Sequence, residues 1–316
     1  ATVVPRRDGS GITSTLFLGF LECHNLDCRC ALHRTGHPGT GRGPGIHPRP
    51  GLITATDSRS ERSIMRFQDL TSNPNLIRLG LFIGKQMPRC IGYAIARGGA
   101  SFIARAKPEI YWTVRANLRQ VMGPEMENKA LHRLVRRVFY HAGQTYYDHF
   151  HAFTHGDDAV REMIRITEED LANLAKAQSQ GKGTMFVTGH LSNFDLAALA
   201  LVLQGIEFQG LSLRDPIEGF KVLNLLRTEG GIKTTPVGIT SLRSAIRRLR
   251  AGGVVGTGVD RPIGQGDEPV EFFGKTALLP TGHIRLALKT DAIVVVGYCE
   301  FDADDGYRLR IEPPME

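Results

Sequence analysis

From residue 156 onward the chain alternates between short apolar runs and longer stretches with helical spacing of apolar positions. Thr184–Thr188 is an almost unbroken apolar run, the mark of a strand buried on both faces. Residues 206–212, 233–237, 254–259, 292–299 and 307–311 read as further strands. Residues 168–180, 196–203, 217–228 and 282–289 read as helices, as does a stretch ending at Arg250. Thr167 is placed to cap the first of these helices, and Thr240 or Ser241 the one ending at Arg250. Strands alternating with helices at this spacing predict an α/β fold: a mostly parallel sheet flanked by helices. No internal repeat of solenoid period is present.

Residues 65–155 differ in character. The pattern there is helical, with Leu76, Leu79, Phe82, Ile91, Ile95 and Phe102 interrupted by Arg78, Lys85, Arg89, Arg97 and Arg105. A charge near mid-bilayer costs roughly 2.5–3.5 kcal/mol, so these interruptions argue against a simple spanning helix. They suit helices lying in a membrane interface, with the apolar face down and the basic face toward headgroups. The charge distribution sharpens this. Residues 65–155 hold 13 Lys and Arg against 5 Asp and Glu, whereas residues 156–316 hold 18 against 22. The net +7 of the chain is therefore concentrated ahead of the α/β region, where anionic lipid would attract it. No base-stacking platform, zinc finger or basic zipper accompanies the charge, so nucleic acid is not an expected partner.

Residues 1–64 read as a separate object, a disordered or non-native extension. Residues 34–60 are rich in Gly, Pro, Arg, Ser and Thr without periodicity. Residues 16–21 are apolar but too short to span a bilayer. Cys23, His24, Cys28, Cys30, His33 and His37 crowd together without forming two clean pairs of ligands, so no metal is implied. Over the rest of the chain Cys90 and Cys299 are isolated, which fits a reducing compartment.

The candidate chemistry lies in Gly-His-Leu-Ser-Asn-Phe-Asp at 189–195, directly after the 184–188 strand. His190 sits where a strand ends and Asp195 where a helix begins, the edge at which open α/β sheets build active sites. Histidine can take a proton near neutral pH, and a neighbouring carboxylate can hold its tautomer. No G-x-S-x-G elbow supplies a nucleophile for this histidine, which suggests direct activation of a substrate hydroxyl. Gly181-Lys182-Gly183-Thr184 breaks the phosphate-loop pattern. The glycines of 252–258 lie inside a strand pattern and form no dinucleotide fingerprint.

The motif and its neighbours resemble the lysophospholipid acyltransferase superfamily, in particular its lipid A biosynthesis branch and the related phosphatidylinositol mannoside acyltransferases. Gly181-Lys182-Gly183, His190, Asn193, Asp195, Arg214, Asn224, Arg227, Gly230, Asp260, Glu271 through Ala277, Pro280 and Gly282 match in order. The resemblance implies an acyltransferase with His190 as general base supported by Asp195. The donor is an acyl thioester, of CoA or acyl carrier protein, and the acceptor a hydroxyl of a glycolipid or lysophospholipid, with no cofactor. It implies substrate-binding roles for Asn193, Arg214, Asn224, Arg227, Asp260, Phe272, Phe273 and Gly274. Arg214 and Arg227 would clamp phosphate, and 272–274 would shape a loop beside the acyl or acceptor pocket. Asp260 stands where family members often have Glu. The expected location is peripheral, on the cytoplasmic face of the bacterial inner membrane. The oligomeric state stays open. An acyl-thioester hydrolase and a non-catalytic peripheral membrane protein are the rival readings. The family usually continues with a further helical segment beyond the last strand, so a short protein or a fragment is expected.

Overall fold

The computed structural model describes residues 73–214, 218–261, 266–302 and 306–315. The expectations for residues 1–64, including the Cys/His cluster, lie outside them. The basic region folds as four helices: α1 (Pro74–Gln86), α2 (Arg89–Ala106), α3 (Glu109–Met122) and α4 (Asn128–His155). Pro88 and Pro108 sit directly before α2 and α3, where a missing N–H costs nothing, and so break the run into separate helices. Buried Leu131, Val135, Val138, Phe139 and Ala142 form one stripe of α4 that packs on Ile110, Tyr111, Val114 and Leu118 of α3.

The α/β region follows: α5 (Asp157–Met163), β1 (Ile164–Ile166), α6 (Glu168–Gln178), β2 (Thr184–Thr188), α7 (Phe194–Leu203), β3 (Phe208–Ser212), α8 (Glu218–Glu229), β4 (Lys233–Pro236), α9 (Ile239–Arg250), β5 (Val254–Gly258), β6 (Asp267–Phe272), β7 (Lys275–Pro280), α10 (Gly282–Thr290), β8 (Ile293–Asp302) and β9 (Gly306–Ile311). A seven-stranded sheet runs in the order β1-β9-β8-β2-β5-β3-β4, parallel except where β8 and β9 pair antiparallel. The mostly parallel sheet flanked by helices matches the expected class. On one face lie Leu196, Ala197, Leu199 and Ala200 of α7 with Leu174 and Ala177 of α6. On the other lie Ala245 and Leu249 of α9 and Ala287 of α10. Central β2 buries Met185 and Val187 on the α9 and α10 side, with Phe186 toward α7, which is why its sequence shows no polar alternation.

Thr167 caps α6 as expected, in a reciprocal box with Asp170. The cap of α9 differs: Gly238 occupies the N-cap position, and the Ser241 hydroxyl reaches back to accept from the Gly238 N–H at 2.8 Å. Helix α5, strand β1 and the β6–β7 hairpin were not anticipated. Strand β1 has only three residues, too few to show a period. The stretch expected as a shaped loop is a hairpin, β6–β7, paired from Asp267↔Pro280 to Phe272↔Lys275.

The helical region is fastened to the sheet by Asp148 of α4. Its carboxyl accepts from Tyr93 of α2 at 2.8 Å and from Tyr307 of β9 at 2.7 Å, and it is buried. Burial pushes the Asp148 carboxyl up to about 6, against the two tyrosine hydrogen bonds and Arg89. A carboxyl raised in the folded state binds its proton more tightly there than in the unfolded chain. Stability therefore falls as pH rises from the ordinary carboxylate range to about 6, and levels off above it. Asp148→Asn keeps one acceptor and offers a donor, and is expected to remove this slope, worth up to about 3 kcal/mol. Urea unfolding of both proteins between about pH 4 and 7 checks this. Parallel curves for the two proteins would show that Asp148 does not titrate in that window.

Candidate active site

Strands β2 and β5 pair in parallel with Thr188 opposite Gly258. The ladder extends one step further, the Val259 N–H donating to the Thr188 carbonyl at 3.0 Å. Two residues beyond each registered partner stand His190 and Asp260, side by side at the carboxyl edge of the sheet. Asp260 grips His190 twice. Its Oδ2 accepts from the His190 backbone N–H at 2.9 Å, and its Oδ1 lies 2.7 Å from Nδ1. An ionised carboxylate only accepts, so Nδ1 carries the hydrogen and Nε2 is left as the basic nitrogen. Nε2 has no protein partner among the described residues. Burial opposes ionisation of Asp260, but the hydrogen bonds and charge of His190 outweigh it and hold the carboxyl below its ordinary value. The imidazole lies over Gly258, where an added Cβ would come within 2.4 Å of Cε1, so the strand end tolerates no side chain. The Phe194 ring meets the imidazole edge-on at 4.8 Å.

Asp195, expected to support the imidazole, has Arg227 as its hydrogen-bonded partner, and the charge of His190 acts on it from nearby. Its two oxygens take the Arg227 guanidinium bidentately, Oδ1 from Nε at 2.7 Å and Oδ2 from Nη2 at 2.9 Å. Asn224 Oδ1 accepts from Nη1 at 2.8 Å, and Asn224 Nδ2 points to Ser212 Oγ at 3.5 Å. The Arg227 guanidinium also sits over the Phe194 ring, 5.8 Å from its centre. The Asp195 and Arg227 side chains are only 16% and 18% exposed. Burial opposes the Asp195 charge, yet Arg227 and then His149 and His190 hold its carboxyl below the ordinary range. The reason for the rearrangement is geometric. Asp195 lies in the first turn of α7, within reach of Arg227 on α8, whereas Asp260 follows β5, the strand hydrogen-bonded to β2. Arg227, expected to clamp phosphate, has this carboxylate as its partner instead.

The other expected residues fall in three places. Asn193 is the N-cap of α7, its Oδ1 accepting from the Leu196 N–H at 3.4 Å and its Nδ2 donating to the Thr145 carbonyl at 3.3 Å. Arg214 is exposed just past β3. Phe272, Phe273 and Gly274 form the tip of the β6–β7 hairpin. Sequence reasoning passed over Phe194, Gly258 and two residues of α4, Tyr146 and His149. Gly258 had a signal: a glycine closing a strand just ahead of an acid. The α4 pair had none, since only folding brings α4 against Asp195 and Arg227. Burial pushes the Tyr146 hydroxyl up to about 12, with the Asp195 charge adding and Arg227 opposing. Burial likewise lowers the His149 imidazole, and its Nδ1 has no hydrogen-bond partner among the described residues. Cys299 is buried, and burial pushes its thiol up to about 12, so it holds no thiolate.

Residues 74–316 match the family model described as bacterial lipid A biosynthesis acyltransferase. A phosphatidylinositol mannoside acyltransferase of Mycolicibacterium smegmatis is 25% identical over 258 residues, covering 75% of this chain and 79% of that protein. Its counterpart in Mycobacterium tuberculosis is 26% identical over 170 residues, half of each chain.

Proposed function

The chain belongs to the bacterial lipid A biosynthesis acyltransferase family, and from that premise we propose a reaction and a setting for it. It is an acyltransferase of lipid biosynthesis. The proposed reaction moves a fatty acyl group from an acyl thioester, of CoA or an acyl carrier protein, to a hydroxyl of a glycolipid or lysophospholipid. The double grip of Asp260 on His190 carries this reading, because it leaves Nε2 oriented and basic at an open sheet edge.

The acceptor oxygen attacks the thioester carbonyl carbon while Nε2 takes the hydroxyl proton. Asp260 keeps the hydrogen on Nδ1 and stabilises the imidazolium that forms. The backbone N–H groups opening α7 offer a positive helix end to the tetrahedral oxyanion. Collapse breaks the C–S bond, and the imidazolium returns its proton to the departing thiolate. The product is an ester and a free thiol, with no acyl-enzyme and no cysteine required. The Asp195–Arg227 pair braces the start of α7 and, through Phe194, the back of the imidazole.

The setting is peripheral to a membrane, at the cytoplasmic face of the inner membrane. Ile91, Ile95 and Phe102 stand on one stripe of α2 at helical spacing, and Leu79 and Phe82 stand on α1, all facing solvent rather than the core. Exposed Arg78, Lys85, Arg89, Arg97 and Arg105 accompany them. Basic side chains beside an anionic surface contribute about 1 kcal/mol each. No helix among the described residues is long and apolar enough to cross a membrane.

Incubation of labelled palmitoyl-CoA, and separately of labelled acyl carrier protein, with a bacterial lipid extract tests the reaction. A labelled lipid formed by the wild type and lost in His190→Ala is the expected result. Release of free fatty acid without any labelled lipid would replace this reading with thioester hydrolysis.

A further inference from the structure

Four non-glycine residues among the described residues have a left-handed backbone. Three have ordinary reasons. Lys107 and Asp291 are the C-caps of α2 and α10, and Phe273 lies in the β6–β7 turn. The fourth is Ser192, with φ of 49°, inside the turn that joins His190 to Asp195. It is 4% exposed, so the strain is buried. A residue with a Cβ is disfavoured in this region, and such strain persists only where its surroundings over-determine it. Glycine would relieve it, yet the chain places a hydroxyl here.

The surroundings grip the turn from two sides. Cys299 lies three residues past Val296, the last partner of β2 in its register with β8, so β8 carries the thiol beyond the paired end of β2. The thiol is buried in the cluster that holds Leu196 and Ala197 of α7. Its sulfur takes hydrogen bonds from the Ser192 hydroxyl and the Asn193 backbone N–H, and its own S–H donates to the Glu300 carbonyl at 3.7 Å. Asn193, also buried, fastens the other side. Its Nδ2 donates to the Thr145 carbonyl of α4, and its Oδ1 caps α7 at the Leu196 N–H.

This turn sets the spacing of the site. It carries the chain from His190 to the start of α7 within three residues, and the Phe194 ring ends 4.8 Å from the imidazole. The Asn193 N–H is engaged by Cys299, the Leu196 N–H by the Asn193 side chain and the Ala197 N–H by the Asn193 carbonyl. The Phe194 and Asp195 N–H groups are left to meet an oxyanion. We propose that Ser192 and Cys299 are positioning residues: the left-handed turn, locked by the thiol against it, fixes the general base His190 relative to the oxyanion donors at Phe194 and Asp195. The inference rests on the acyl-transfer reading above and supplies the device that holds its two parts in one frame.

Steady-state acyl transfer and thermal unfolding of the full chain, measured on the same variants, test this. Ser192→Gly removes the strain and the lock together. Its kcat should fall on the order of tenfold to a hundredfold with KM little changed, since a misplacement of about 1 Å can cost about a hundredfold. Its thermal midpoint should stay level or rise, because glycine is at ease at this φ. Rate lost without stability lost marks positioning, whereas a purely structural role lowers both. Cys299→Ala should also lower kcat, and Cys299→Ser, which restores an acceptor for Ser192 and Asn193, should recover part of it. Wild-type kcat in Ser192→Gly, or a kcat that falls only together with the midpoint, overturns the inference and leaves the acyl-transfer reading intact. A Cys299→Ser rate no better than that of Cys299→Ala overturns the part assigned to the thiol. Absence of labelled lipid with the wild type overturns both inference and reading.

Discussion

Asp260→Asn is expected to depress acyl transfer by on the order of 10²–10⁴-fold, approaching the effect of removing His190 itself, because general-base catalysis is worth about that much. The amide can still fill the space of the carboxylate, yet it presents one acceptor where the carboxylate presents two, to the His190 N–H and to Nδ1. Either the backbone bond or the Nδ1 bond is then lost, and an amide N–H turned toward the ring favours the hydrogen on Nε2. That tautomer cannot take a proton from the acceptor. The neutral amide also withdraws the charge that stabilises the imidazolium. Loss should therefore appear mainly in kcat. Asp260→Glu, which restores a carboxylate, should recover part of the rate. A wild-type kcat in Asp260→Asn, with kcat lost in Asp195→Asn instead, would return the supporting role to Asp195.

Arg227→Ala is expected to destabilise the fold by about 3–5 kcal/mol, the cost of leaving a buried charge without its partner. Asp195 keeps its carboxylate in a largely buried position and loses both guanidinium bonds, and Asn224 loses the donor that engages its oxygen. The effect depends on pH in a definite direction. Asp195 is held below the ordinary carboxylate range in the folded chain, so the pair's contribution is full above that range. It is lost as pH falls through the lowered value. Denaturant unfolding at neutral pH measures the loss, and the double variant Asp195→Ala with Arg227→Ala should recover part of it, since neither charge is then stranded. A loss under about 1 kcal/mol would mean that the pair behaves as a solvated surface ion pair.

The contrast between the two carboxylates shows what kind of information was legible in the chain. His190 and Asp195 are five residues apart, and short-range spacing is what a sequence displays. Asp260 is seventy residues from His190 along the chain, and only the parallel register Thr188↔Gly258 brings them together. Arg227 meets Asp195 because α8 packs beside α7, and Tyr146 and His149 join them because α4 lies across both. None of these pairings has a periodic signature.

The chain by itself determined the α/β class, the position of most strands and helices, the cap of α6, and the histidine at the end of β2. Each rests on interactions within a few residues: apolar periodicity, a capping side chain, a strand run bounded by glycine. Tertiary structure alone decided which carboxylate hydrogen-bonds His190, that Arg227 pairs with Asp195, and that residues 267–280 form a hairpin with a phenylalanine at its tip. Those outcomes depend on strand register and on the packing of helices distant in sequence, and residue order encodes such contacts only through the fold as a whole.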